Sequence, residues 1–114
     1  MLTKEQILGA TDREFAVIDV PEWGGLVRIG SMSAYARDKY ERAYSDISEG
    51  RTDLSIRAHL VAACVVDESG ELLFTAEDVK ALGQKSGAAL SALFIACVKL
   101  NAMGGKDQEN IEEK

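Results

Sequence analysis

Val20-Pro21-Glu22-Trp23-Gly24-Gly25-Leu26-Val27-Arg28-Ile29 carries the only proline and the only tryptophan of the chain. Proline has no N–H for a strand ladder and pre-sets the first central position of a turn. Gly24 and Gly25 can take the positive φ that tight hairpin turns demand. β-prone runs flank the corner, Phe15-Ala16-Val17-Ile18-Asp19-Val20 before it and Leu26-Val27-Arg28-Ile29 after it. The stretch therefore predicts a β-hairpin with a large aromatic ring at its tip. Trp23 has two readings. By default it folds back on the core, where tryptophan is usually well covered; the sharper reading is that it anchors a partner.

Away from the hairpin the chain reads as helices. Thr3-Lys4-Glu5-Gln6 has the form of a capping box and opens a short N-terminal helix ending at Gly9. Ser31 or Ser33 caps a second helix over Ala34 to Ser48. Its apolar positions Ala36, Tyr40, Ala43, Tyr44 and Ile47 recur at helical spacing and predict a core-facing stripe. Thr52 or Asp53 caps a third helix from Leu54 to about Val66, apolar on most sides after His59 and hence central. Its end, Val65-Val66, reads equally as the start of a strand. Asp67 to Gly70 is a turn, Leu72-Leu73-Phe74 a short extended piece or a loop pinned to the core, and Thr75 caps a fourth helix ending near Lys85.

The last helix, Gly87 to Met103 after a Ser86 cap, is unusual. Leu90, Leu93, Phe94, Cys97 and Leu100 form one apolar stripe. The opposite side, Ala88, Ser91, Ala92, Ile95 and Lys99, is small or apolar until its end, where a solvated helix would carry charges. Two apolar faces imply two packing partners. One is the core; the other is a second subunit, a client, or another helix of the same domain. Residues 104–114 are polar, follow a glycine pair, and predict a flexible charged tail. The class expected is α+β: one mainly helical domain over residues 1–103 with one N-terminal β-hairpin.

Composition narrows function. The 114 residues suffice for a single modest core. A hydrophobic content of 46% with one proline points to a compact fold. The net charge of −6, with its thirteen basic residues dispersed, argues against nucleic acid as a partner. Cys64 and Cys97 sit in apolar helical stretches without metal-ligand spacing and read as reduced, buried thiols of a cytosolic protein. Met1 leads into a polar segment without the apolar region of a signal peptide, and the apolar run Gly87 to Val98 is shorter than a membrane span of about 20 residues.

Catalytic chemistry finds little to stand on. His59 is the single histidine, and Cys64, five residues on, lies on another helical face. Asp67-Glu68-Ser69-Gly70-Glu71 is acidic, but its glycine is fourth and Asp78 stands twelfth, which does not fit a calcium-binding EF-hand loop. Neither Gly24-Gly25 nor Gly104-Gly105 has phosphate-loop spacing. The expectation is a protein with no catalytic role, no cofactor and no metal.

The hairpin segment Val20 to Ile29, followed by Arg57-Ala58-His59-Leu60-Val61-Ala62-Ala63-Cys64-Val65-Val66-Asp67-Glu68-Ser69-Gly70-Glu71-Leu72-Leu73-Phe74-Thr75-Ala76-Glu77-Asp78-Val79, resembles the tail assembly chaperones of long-tailed, non-contractile bacteriophages. The likeness runs from about Thr3 to Asn101 and is a whole-chain pattern, not an active-site signature. It implies a protein of the host cytoplasm that binds and solubilises the helical tape-measure protein and promotes polymerisation of the tail-tube protein around it. It further implies self-association and absence from the mature virion. A longer form made by programmed ribosomal frameshifting is also implied, for which Gly105-Lys106 satisfies the reading-frame requirement of a slippery heptamer if the Gly104 codon ends in G. On this reading Ala88, Ala92 and Ile95, with Trp23, are the expected client or oligomer contacts. The alternatives are a tube, connector or baseplate component retained in the virion and, more distantly, a small cytoplasmic regulator such as an antitoxin.

Overall fold

Pro21 opens one turn of 3-10 helix, Pro21–Trp23, in the computed structural model, which describes residues 1–103. Gly24 closes the turn at φ 75°, a left-handed conformation that side chains resist, and its N–H donates to the Pro21 carbonyl at 3.1 Å. Gly25 is the first residue of the returning strand, so only one of the two glycines supplies positive φ. The flanking runs pair as read: β1, Phe15–Val20, lies antiparallel to β2, Gly25–Gly30, with Phe15 opposite Gly30 and Val20 opposite Gly25.

A short N-terminal helix, α1 (Lys4–Leu8), carries the expected capping box: Thr3 Oγ1 accepts from Gln6 N–H while Gln6 Oε1 accepts from Thr3 N–H. The second helix, α2 (Ala34–Ser48), has the bounds read from the sequence because Ser33 Oγ accepts from Ala36 N–H. Its apolar stripe is only partly covered. Ala36 is buried and Tyr40 half-buried, whereas Tyr44 is exposed, as is Tyr35. The stripe therefore does not face the core along its whole width.

The third helix, α3 (Ile56–Cys64), starts later than expected. Ser55, not Thr52 or Asp53, is its cap, and accepts from Ala58 N–H. Thr52 instead holds the preceding turn through Leu54 N–H. The helix ends at Cys64, and Val65–Val66 forms a third strand, β3, placing Val66 opposite Arg28 and Val65 opposite Ile29. Leu72 bridges to Val66, so the extended reading of the Leu72 segment holds there. The fourth helix is shorter than expected: a 3-10 turn, Ala76–Asp78, leads into a single α-turn, α4 (Val79–Leu82). Asp78 Oδ2 accepts from both the N–H and the hydroxyl of Thr75, while Asp78 N–H donates to the Thr75 carbonyl.

The last helix, α5 (Gly87–Met103), packs on β1 and β2 and on α3, while α2 and α4 pack on α3. The sheet order is β1-β2-β3. Ala16, Ile18, Val20, Val27, Ile29 and Val65 turn inward to meet Val61, Leu93 and Cys97. The class is α+β, as the sequence predicts.

Candidate interaction surface

The outer face of α5 is open. Ala88, Ala92, Ile95 and Lys99 are exposed, with Ile95 at 53%, while Ala89, Leu90, Leu93, Cys97 and Leu100 on the opposite side are buried. Among the described residues, no other helix of the domain encloses this face, which removes one of the three readings of its apolar character. The strip carries small side chains and no charge before Lys99, so another helix can approach its backbone closely.

Trp23 lies between the core and solvent. Its ring is half-buried and packs against the core cluster. It also lines an open cleft of about 450 Å³ with Phe74, Asp78, Ala81, Leu82 and Lys85. No α5 residue lines that cleft, so it does not merge Trp23 with the Ala88–Ala92–Ile95 strip. Gly105 and Lys106, and the tail expected over 104–114, lie outside the described residues.

A third apolar area was not singled out from the sequence. Phe15, Val17 and Leu26 stand on the outer face of the hairpin and are 38%, 59% and 72% exposed. The signal was present: both alternating sets of β1, Phe15 and Val17 as well as Ala16, Ile18 and Val20, are apolar, and a strand with one solvated face alternates. Gly30 matters here because a Cβ at that position would come within 2.8 Å of the Phe15 ring. The ring lies there with the Arg28 guanidinium 4.3 Å from its centre. Arg28 Nη1 also donates to the carbonyls of Asp67 and Glu68 at 3.2 and 2.8 Å, tying together the two segments that carry the family resemblance. Beyond it, Asp67 Oδ1 accepts from the Ser69 hydroxyl and from Glu71 and Ser69 N–H, which together hold its carboxyl below the usual carboxylate range.

Asn101, on the last turns of α5, is the other residue the sequence did not reveal. Its Oδ1 accepts from Met32 N–H at 2.7 Å, and its Nδ2 donates to the Cys97 carbonyl at 2.7 Å and approaches Cys64 Sγ at 3.4 Å. One amide thus links α5, α3 and the segment between β2 and α2. Contact with Cys64 and burial push the Cys97 thiol up, so it stays protonated.

His59 is half-buried beside Lys39, Tyr40 and Ala63. Burial lowers its imidazole pKa below the ordinary 6.5. The folded chain therefore binds fewer protons than the unfolded chain in that range. The contribution of neutral His59 is fully present above about pH 6.5 and declines as pH falls through that value toward the folded-state pKa. His59→Gln is expected to flatten this part of the stability–pH curve, measured by urea melts from pH 5 to 8. Among the described residues, no three His, Cys, Asp or Glu side chains gather as a metal cluster, and no helix is long and apolar enough to cross a membrane.

No protein-family model and no curated protein matches the sequence. Among solved structures, the chain is similar to the bacteriophage HK97 tail assembly chaperone, with a TM-score of 0.61 and 18% sequence identity over 84% of this chain and 90% of that one. At that identity the likeness is one of fold: this chain has the fold of a phage tail assembly chaperone.

Proposed function

We propose that this protein is a bacteriophage tail assembly chaperone that binds and solubilises the tape-measure protein and promotes assembly of the tail-tube protein around it. The observation that carries the reading is the shared fold, which extends over nearly the full length of both chains. The exposed apolar strip of α5 supplies a physical means. A tape-measure protein is a long helical client with apolar faces, and a strip of Ala88, Ala92 and Ile95 admits one such helix at close range. The half-exposed Trp23 ring, beside Phe74 and Leu82, offers a second anchor. Covering the client's apolar faces keeps it soluble until tube subunits replace the chaperone. This role needs no cofactor and no catalytic group.

The protein acts in the host cytoplasm, associates with itself, and leaves before the virion is complete. A longer form arises by frameshifting at Gly105-Lys106. Mass spectrometry tests the central part of this reading. The chain is expected in lysates of infected cells and not in purified particles; a stoichiometric presence in particles identifies a structural tail component instead. The gene tests the frameshift: codons other than GGA-AAA or GGA-AAG at Gly105-Lys106 remove that site.

A further inference from the structure

We propose that β1 is the seam through which two copies of this chain join, its outer edge pairing antiparallel with the same edge of a second copy in the register that sets Arg13 opposite Asp19. The proposal rests on the self-association named above but not on the identity of the client.

The sheet order leaves β1 at an edge. One hydrogen bond establishes which of its backbone groups face outward. Ser31 N–H donates to the Glu14 carbonyl at 2.8 Å, in register with the Phe15–Gly30 pair. Antiparallel ladders alternate, so Glu14, Ala16, Ile18 and Val20 turn their backbone groups toward β2. Phe15, Val17 and Asp19 turn theirs to the open side. The opposite edge is short and capped: β3 has two residues, Leu72 bridges to Val66, and Leu73 N–H donates to the Val65 carbonyl. Of the usual protections β1 has a single charge, Asp19. It holds no proline, lysine or bulge, and all six of its residues pair with β2 in unbroken register. Its outer face adds the exposed side chain of Val17 and the free edge of Phe15, whose ring leans over Gly30 toward β2.

Self-pairing is restricted to a few registers, because outward-facing residues must meet outward-facing residues. Centring the two-fold axis on Phe15 sets Arg13 opposite Val17. Centring it on Val17 sets Asp19 opposite Phe15, and centring it on Ile18 sets Phe15 opposite Pro21, which has no N–H to donate. The register centred on Ala16 sets Arg13 opposite Asp19 twice and Phe15 opposite Val17 twice. Opposite charges and apolar pairs directly across a ladder are the favourable combinations. It also puts Ala16, the smallest side chain of the strand, on the axis, where the two chains approach most closely. Among the described residues neither Arg13 nor Asp19 forms an ion pair within the chain; Arg13 Nε donates to the Ser31 carbonyl at 2.8 Å and its guanidinium lies 5.5 Å from the centre of the Phe15 ring, on the β2 side, so it turns outward to meet Asp19 of a second copy. The pairing is isologous and closes on itself, joining two three-stranded sheets into one of six.

Light scattering on the size-fractionated full chain, whose mass is 12.3 kDa, tests the seam. The wild type is expected as an even multiple of that mass. Val17→Pro removes only an outward N–H, which an edge strand tolerates, and is expected to halve the particle mass while circular dichroism shows an unchanged fold. Asp19→Arg, which sets like charges opposite each other, is expected to weaken association on the order of tenfold or more. Arg13→Asp combined with Asp19→Arg is expected to restore it. Should Val17→Pro fail to fold, the charge exchange decides. A monomeric wild type overturns both the seam and self-association. Oligomers that survive Asp19→Arg, or a double variant no better than Asp19→Arg alone, overturn the seam and leave the chaperone reading standing.

Discussion

Leu93→Ala is expected to destabilise the protein by about 2–5 kcal/mol. Leu93 is fully buried at the centre of α5, among the residues that join the inner face of the sheet to α3. Truncation removes apolar contacts and leaves a cavity that neighbouring helices fill only in part. For a domain of this size the midpoint of thermal unfolding falls by roughly 10 °C or more. Two residues further along the same helix, Ile95 is 53% exposed, and Ile95→Asp is expected to change stability by less than about 1 kcal/mol. Paired thermal melts check both. A collapse of the fold in Ile95→Asp would mean that its side chain is part of the core and not of a contact surface.

Asn101→Ala is expected to cost about 1–3 kcal/mol, the range for removing one partner of an internal hydrogen bond and leaving the other unsatisfied. Met32 N–H loses its acceptor, and the tie from α5 to the start of the α2 segment is broken. Amide hydrogen exchange provides the specific readout. Protection should fall at Met32 and its neighbours more than in the hairpin; an even loss throughout, or none, would contradict the role given to this amide.

The legibility of these features in the sequence follows from how local their causes are. The hairpin could be read because Pro21 and Gly24 act through their own backbone dihedrals. The bounds of α2 could be read because Ser33 caps three residues away. The start of α3 differs from the one expected because Thr52, Asp53 and Ser55 are each competent caps, and it is Ser55 that accepts from Ala58 N–H. The run ending in Val65-Val66 stayed ambiguous because short apolar segments suit a buried helix and a buried strand alike. Tyr44 was assigned to a core-facing stripe by its spacing, yet spacing carries no information on how much of a helix its neighbours cover. Here α2 rests on α3, and the ring of Tyr44 stays outside.

The candidate surface divides in the same way. Ala88, Ala92 and Ile95 stood out because an uncharged outer face is anomalous in a single helix, and the structure leaves that face open. The placement of Trp23 is not legible in sequence because one large ring can both pack on the core and border a cleft. Trp23 packs on the core and borders a cleft with Phe74 and Leu82, residues 51 and 59 positions further along the chain. Asn101 was invisible for a similar reason: its acceptor role depends on Met32, 69 residues distant.

In the proposed function this chain keeps a tape-measure protein soluble through its exposed surfaces. Co-expression of the full chain with a candidate tape-measure protein, followed by separation of soluble and insoluble fractions, tests this most directly. The account predicts that the tape-measure protein moves into the soluble fraction and co-purifies with the wild-type chain, and that Ile95→Asp, although folded, loses much of this effect. A tape-measure protein that remains insoluble with the wild-type chain present would contradict it.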